Sequence, residues 1–290
     1  MSFTKISKDL SSLKGKTLVI TGGASGIGAA IVRLASKSGA HVVFGDLNEV
    51  LGRRVAVETG ATYLNSNAAE YLDILKLFQE AHKRFGAVDH AVSNAGIYEP
   101  KPDPFDVALD LESVKEVPST TVFDVNVRGT AYFSRIASVY LRQNAAAADD
   151  KSLILISSVS GVICPPDTPF YNTSKSAVTG LARTLAQSLP ASHNIRVNTV
   201  CPSLTRTPLA SVHMLPFYEK HNIPFNEASD IADVVLFLAC ARGCNRKILW
   251  VEGATSWDIE EELLKLMPQW IGEGPAKLIE NIERINASEL

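Results

Sequence analysis

The chain has 290 residues, 46% of them hydrophobic and 20% charged, which is enough to close one large domain around a buried core. A formal net charge of −3 with no basic block or stripe excludes a nucleic-acid or anionic-membrane surface. No apolar run approaches membrane length, and the start of the chain carries no secretory pattern, so a cytoplasmic setting is expected. The four cysteines, Cys164, Cys201, Cys240 and Cys244, lack the paired spacing of a metal site and are expected to be free thiols. No metal is expected.

In chain order, Lys16 to Ile20 reads as a short buried strand that runs into Thr21-Gly22-Gly23-Ala24-Ser25-Gly26-Ile27-Gly28 and then into a helical pattern through Lys37. A strand, a glycine turn and a helix amino terminus make a phosphate site. Glycine lets the backbone approach a pyrophosphate, and the free amides and helix dipole favour the anion. The next strand, His41 to Gly45, ends in Asp46 and is followed by Leu47. A carboxylate there accepts hydrogen bonds from adenosine ribose hydroxyls and repels a 2′-phosphate, which favours NAD over NADP.

Ala61 to Ser66 reads as a third strand, Glu70 to Phe85 as a helix, and Val88 to Ser93 as a fourth strand. A helix over about 120–143 carries Asn126 among mostly apolar neighbours, where an amide needs partners. Leu153 to Ser157 is a buried strand that places Ser158 at its carboxyl end, where open α/β sheets bind ligands. Tyr171 and Lys175 follow on a helix, four residues apart and so on one face. A cation beside a phenol favours the phenolate, which makes Tyr171 a candidate general base. Taken alone, that pair also fits an ordinary surface helix.

A sixth strand, Asn194 to Val200, precedes Cys201-Pro202-Ser203-Leu204-Thr205-Arg206-Thr207-Pro208; helix 229–241 and strand 247–251 complete the alternation. Seven strand signals interleaved with helices predict a single doubly wound α/β Rossmann domain: a seven-stranded parallel sheet with helices on both faces. This domain is expected over 1–256, with a substrate lid at about 204–228. Residues 257–290 read as a helical extension packed on the same domain.

These motifs together resemble the short-chain dehydrogenase/reductase family, over about residues 14–251. The family's TGxxxGxG turn is matched by Thr21 to Gly28, its NAG turn by Asn94-Ala95-Gly96, and its catalytic set by Asn126, Ser158, Tyr171 and Lys175. Its segment holding the nicotinamide amide is matched by Pro202 to Thr207, including Thr205 and Thr207, with Ser203 in place of glycine. Asn67-Ala68 stand where the family touches adenine. The resemblance implies an NAD-dependent oxidoreductase, built as a homotetramer or homodimer. The expected cofactor contacts are Gly22, Ser25, Gly26, Ile27, Gly28, Asp46, Leu47, Asn67, Ala68, Asn94, Ala95, Gly96, Tyr171, Lys175, Pro202, Thr205 and Thr207.

Apolar residues around 159–170 and in the lid point to a lipophilic secondary alcohol or its ketone as substrate. A ketone reductase of a secondary-metabolite pathway and a non-catalytic cofactor-binding scaffold remain as alternatives.

Overall fold

The computed structural model describes residues 2–3, 9–99, 103–143, 149–166, 168–209 and 214–289. In chain order the strands are β1 (Ser2–Phe3), β2 (Thr17–Thr21), β3 (His41–Asp46), β4 (Thr62–Asn65), β5 (His90–Ser93), β6 (Lys151–Ile156), β7 (Ile195–Pro202), β8 (Thr205–Arg206), β9 (Asn226–Glu227), β10 (Ile248–Glu252) and β11 (Thr255–Asp258). The helices are α1 (Gly26–Lys37), α2 (Glu49–Thr59), α3 (Tyr71–Phe85), α4 (Thr121–Phe123), α5 (Thr130–Tyr140), α6 (Pro169–His193), α7 (Met214–Lys220), α8 (Ala228–Cys240), α9 (Ile259–Lys265), α10 (Met267–Ile271) and α11 (Glu273–Glu289).

The main sheet runs β1-β11-β10-β7-β6-β5-β2-β3-β4. The seven parallel strands expected from the alternation are β4, β3, β2, β5, β6, β7 and β10. Two antiparallel strands extend that edge: β11 turns back on β10 and pairs in turn with β1. Trp257, read from sequence as the start of a helical tail, therefore lies in a strand, and helix begins at Ile259. The sharp reversal uses Gly253 and Ala254, both with positive φ.

Strand order reverses between β2 and β5, and ligands of open α/β sheets bind at the carboxyl ends beside such a switch. The central strands are buried on both faces, which is why they read as continuous apolar runs. One core lies between the sheet and helices α1 and α8, with Leu18, Ile20, Phe44 and Ile154 at its centre. The other lies under α3, α5 and α6, with Phe78, Phe133 and Leu153. Each such side chain contributes roughly 1.5–3 kcal/mol by leaving water.

The expected helix over 120–143 is interrupted: α4 passes into a π-helical segment, Asp124–Gly129, before α5 resumes the regular pitch. Gly129 lies so close to the Ala68 carbonyl that an added Cβ would sit 2.2 Å from its oxygen. Asn126 is buried within this widened turn, and π segments are frequent at functional sites. Cys240 and Cys244 pack partly buried against the α1/α8 core as apolar fillers, and Asn172, part of a glycosylation-like triplet, is 5% exposed.

Candidate active site

At the carboxyl ends of β2, β5, β6 and β7 a cavity of about 630 Å³ opens. Its floor is the glycine turn between β2 and α1. Gly22 has φ +70°, and a Cβ there would sit 2.8 Å from Ala95 Cα. Gly26 has φ +50°, with Thr207 atoms 3.1 Å from the position of a Cβ. Gly28 would place a Cβ 2.0 Å from the Gly22 carbonyl oxygen, so only hydrogen fits where α1 leaves the turn. Ser25 is extended as the N-cap of α1, and its side chain makes no cap bond, leaving the first amides of the helix for a ligand.

Asp46 closes one end of this cradle. Its Oδ2 accepts from the Ala24 amide at 3.0 Å and its Oδ1 from the Asn48 amide at 2.9 Å, so the carboxylate is fixed against the turn. Leu47 beside it is 64% exposed. Asn67 turns its Oδ1 to the Ala69 amide at 2.9 Å. Asn94 clamps β5 to β2: its Nδ2 donates to the carbonyls of Thr21 at 3.1 Å and Gly22 at 3.0 Å, while Thr21 Oγ1 accepts from the amides of Asn94 and Ala95. Every residue expected at the cofactor lines the cavity except Gly28, which is buried beneath the turn.

Of the four residues expected to carry chemistry, drawn from three separate parts of the chain, Ser158, Tyr171 and Lys175 line the cavity and Asn126 lies buried behind it. Tyr171 and Lys175 occupy the first turns of α6, and the Lys175 Nζ stands 5.7 Å from the centroid of the Tyr171 ring. Ser158 caps the short turn after β6, its Oγ accepting from the Ser160 amide at 3.2 Å, and lines the cavity together with Tyr171. Asn126 is 1% exposed; it accepts from the Ile97 amide and donates to the Ile97 carbonyl, both at 2.9 Å, and to Ser174 Oγ at 3.0 Å. Ser174 Oγ in turn donates to the Tyr171 carbonyl at 2.7 Å. The amide therefore braces the loop after β5 against the Tyr171 helix.

Electrostatics in the cavity are set by burial. The Tyr171 phenol is pushed up to about 12, first by burial, with the Ser158 hydrogen bond acting the other way. Burial pushes Lys175 down to about 8, and its ammonium donates to the Ile156 carbonyl at 3.1 Å. The lysine is itself desolvated, and a further positive charge entering beside the phenol would lower the Tyr171 pKa.

Three contributors were not legible in the sequence. Glu99 reaches from the loop after β5 and accepts from the amides of Phe170 at 3.1 Å and of Tyr171. Tyr98 lies against Tyr171 with ring centroids 4.7 Å apart and lines the cavity. Asn226, fully buried, ties the loop after β7 to the end of β10. Only Ser203, standing where glycine was expected, hinted at an unusual arrangement there.

Described residues of the segment expected to form a lid border the cavity. Leu209, Met214 and Tyr218 line the cavity, and Arg206 pairs with Glu219 of α7 and with Glu227, each at 3.0 Å. The cavity's outer part is lined by Ile97, Val159, Pro165, Pro166 and Leu204. A shallower hollow of about 750 Å³ shares Pro165 and Pro166 but none of the glycine turn or the catalytic side chains. Among the described residues no cluster of side chains could hold a metal ion, and no helix is long and apolar enough to cross a membrane.

Switch-point cavity, glycine cradle and the carboxylate at its end mark an α/β protein with a nucleotide-binding type of site. The family model described as enoyl-(acyl carrier protein) reductase matches residues 22–253. The short-chain dehydrogenase/reductase ascJ of Acremonium egyptiacum is 39% identical over 200 residues, 69% of this chain and 66% of that protein. Short-chain dehydrogenase reductase 5 of Arabidopsis thaliana is 35% identical over 78% of this chain and 88% of its own. A 3-ketoacyl-(acyl-carrier-protein) reductase from Brucella melitensis, solved with NADH, superposes with a TM-score of 0.72 at 28% identity, covering 83% of this chain and 98% of that one. The chain belongs to the short-chain dehydrogenase/reductase family of oxidoreductases.

Proposed function

We propose that the protein is an NAD(H)-dependent oxidoreductase that interconverts a lipophilic secondary alcohol and its ketone. The observation that carries this reading is the buried Tyr171, with Ser158 and Lys175 lining the same cavity beside it, over a glycine cradle closed by Asp46.

The cradle fits a nicotinamide dinucleotide, because its glycines leave only hydrogen where backbone must meet a pyrophosphate. Gly22, Ser25, Gly26 and Ile27 would hold the pyrophosphate, Asp46 the adenosine ribose, and Asn67 and Ala68 the adenine. Asn94, Ala95 and Gly96 would line the path to the nicotinamide, with Lys175 on its ribose and Pro202, Thr205 and Thr207 on its amide. When bound, the nicotinamide supplies the hydride acceptor for oxidation or the donor for reduction.

In the oxidation direction Tyr171 takes the hydroxyl proton as the carbinol carbon gives up its hydride. Ser158 Oγ donates to the substrate oxygen and steadies its developing charge. Lys175 lowers the Tyr171 pKa further as charge gathers around it. Asn126 holds the loop that carries Ile97, and would anchor the water through which the proton leaves. Reduction runs these steps in reverse. Asp46 supports NAD over NADP, and the same reading places the protein in the cytoplasm as a homo-oligomer.

Substrate class is argued from the wall. Ile97, Tyr98, Pro165, Leu204, Leu209 and Met214 face the cavity, and among the described residues no Lys or Arg except Lys175 lines it to clamp a carboxylate. The test is NAD+-dependent oxidation of matched lipophilic secondary alcohols and small hydroxy acids, with NADP+ in parallel. Turnover of the first group with NAD+ supports the reading; preference for the hydroxy acids refutes it.

A further inference from the structure

Asn226 has 0% of its surface exposed, yet it opens β9, the point where the lid returns to the body of the protein. An amide has two N–H donors and one carbonyl acceptor. Here the donors face the Val251 carbonyl at 2.9 Å and Ser203 Oγ at 3.2 Å, with the Leu204 carbonyl and Thr205 Oγ1 at 3.5 Å. The acceptor takes the Ala254 amide at 3.3 Å, and the Asn226 backbone amide donates to the Leu204 carbonyl at 2.8 Å. A single buried side chain therefore reaches three consecutive residues of the loop after β7, the end of β10 and the left-handed turn beyond it.

Ser203 completes the arrangement. It has no positive φ, so the loop does not use the freedom of the glycine expected there. Its amide instead donates to the Val251 carbonyl at 2.8 Å, the acceptor that Asn226 also uses, and its carbonyl accepts from Thr205 Oγ1 at 2.9 Å. The loop's shape is set by side-chain bonds where a glycine would have set it by backbone conformation.

We propose that Asn226, together with Ser203, is a positioning residue that fixes the loop receiving the nicotinamide half of the cofactor. This rests on the reading of residues 202–207 as the nicotinamide loop. Ser203, Leu204 and Thr205 all line the cavity, whereas the adenosine cradle lies across it on β2 and β3. The lid is tied to the same point: β9 pairs with β8 through Thr205 and Asn226, and Arg206 bridges to Glu219 on α7. Nicotinamide pose and lid position are therefore set by one buried amide.

The test compares dissociation constants for NADH and for ADP-ribose, which has the adenosine and pyrophosphate but no nicotinamide. The full-length wild type, Asn226→Ala, Asn226→Asp and Ser203→Ala are measured. The wild type should bind NADH more tightly than ADP-ribose. Asn226→Ala should narrow that ratio by about tenfold and leave ADP-ribose affinity within about twofold, because unpaired buried polar groups remain in the loop. Asn226→Asp keeps the acceptor but loses both donors and should behave like the alanine variant. Ser203→Ala, the mildest change, should narrow the ratio by about threefold.

An unchanged ratio in the Asn226 variants overturns the proposal, as does equal weakening of both ligands, which marks a purely structural role. If the Asn226 variants do not fold, an unchanged ratio in Ser203→Ala overturns it alone. A wild type that binds the two ligands equally shows instead that residues 202–207 do not receive a nicotinamide, and removes the basis of the proposal.

Discussion

The Glu99 carboxylate, on the loop after β5, accepts from the backbone amide of Tyr171 and so caps the helix that carries the candidate base. Helix α6 has no cap of its own. Thr168 stands at the N-cap, but its hydroxyl is committed to Asn172 Oδ1, and Pro169 has no amide to offer. The free amides of Phe170 and Tyr171 go to a residue distant in sequence, next to Tyr98, whose ring lies on Tyr171.

Removing that carboxylate should cost both stability and rate. Glu99→Ala is expected to lose about 1–2 kcal/mol in urea unfolding, the size of a lost N-terminal cap with its dipole interaction. Glu99→Gln keeps one acceptor oxygen and should fall between alanine and wild type. Stability equal to wild type in Glu99→Ala would show that the loop does not support α6.

The pH dependence follows from the direction of the two shifts. Burial raises Tyr171 to about 12 and lowers Lys175 to about 8. Oxidation needs the phenolate, so its kcat/KM should climb by about tenfold per pH unit below the controlling pKa. With NAD+ saturating, that pKa should lie well under 12, because a second cation stands beside the phenol. Ketone reduction needs the phenol and should fall as pH rises through its pKa in the NADH complex, which lies higher because reduced nicotinamide carries no positive charge. Steady-state rates in both directions across pH check this, and opposite slopes are the expected result.

Asp46 should set the choice between the two dinucleotides. Replacing it by serine removes the repulsion of a 2′-phosphate, so NADPH affinity should rise by about tenfold. NADH affinity should fall by a similar factor, since the ribose loses its acceptor and the Ala24 amide loses its partner. Titration of both reduced cofactors measures the switch; an unaltered preference would place specificity elsewhere.

At the opposite end of the sheet, His90 is fully buried, with Nδ1 2.9 Å from Ser152 Oγ. Burial lowers its pKa to about 4 from 6.5, against the pull of Asp89 and Asp150. The folded state therefore binds fewer protons than the unfolded chain between those values, and stability falls as pH drops through this window. The loss amounts to roughly 3 kcal/mol once the pH is below both values. Urea unfolding at neutral and acid pH should show wild type losing more stability on acidification than His90→Asn.

Much of the architecture was legible because it is local. The runs Leu18–Ile20 and Leu153–Ile156 are buried on both faces, so their sequences are apolar without alternation, and the glycine turn is specified by residues that tolerate no Cβ. Tyr171 and Lys175 could be paired from helical spacing alone. What was missed depends on partners distant in sequence. Thr255–Asp258 is too short to announce a strand, and its register is set by the turn at Gly253 and Ala254. Glu99 and Asn226 look like ordinary polar residues until α6 and the loop after β7 bring backbone groups to them. The π turn at Asn126, where Gly129 comes close to the Ala68 carbonyl, is recorded by no sequence periodicity.

The central claim, that the Tyr171 phenol moves the proton while a nicotinamide exchanges the hydride, is tested most directly by Tyr171→Phe. NADH affinity and the rate of NADH formation from NAD+ and a lipophilic secondary alcohol are measured for the variant and wild type. The account predicts that affinity stays within about twofold while the rate drops by at least 100-fold, as expected for loss of a general base. A variant that binds NADH normally and keeps more than about a tenth of the wild-type rate would contradict it, since a lost base costs at least 100-fold.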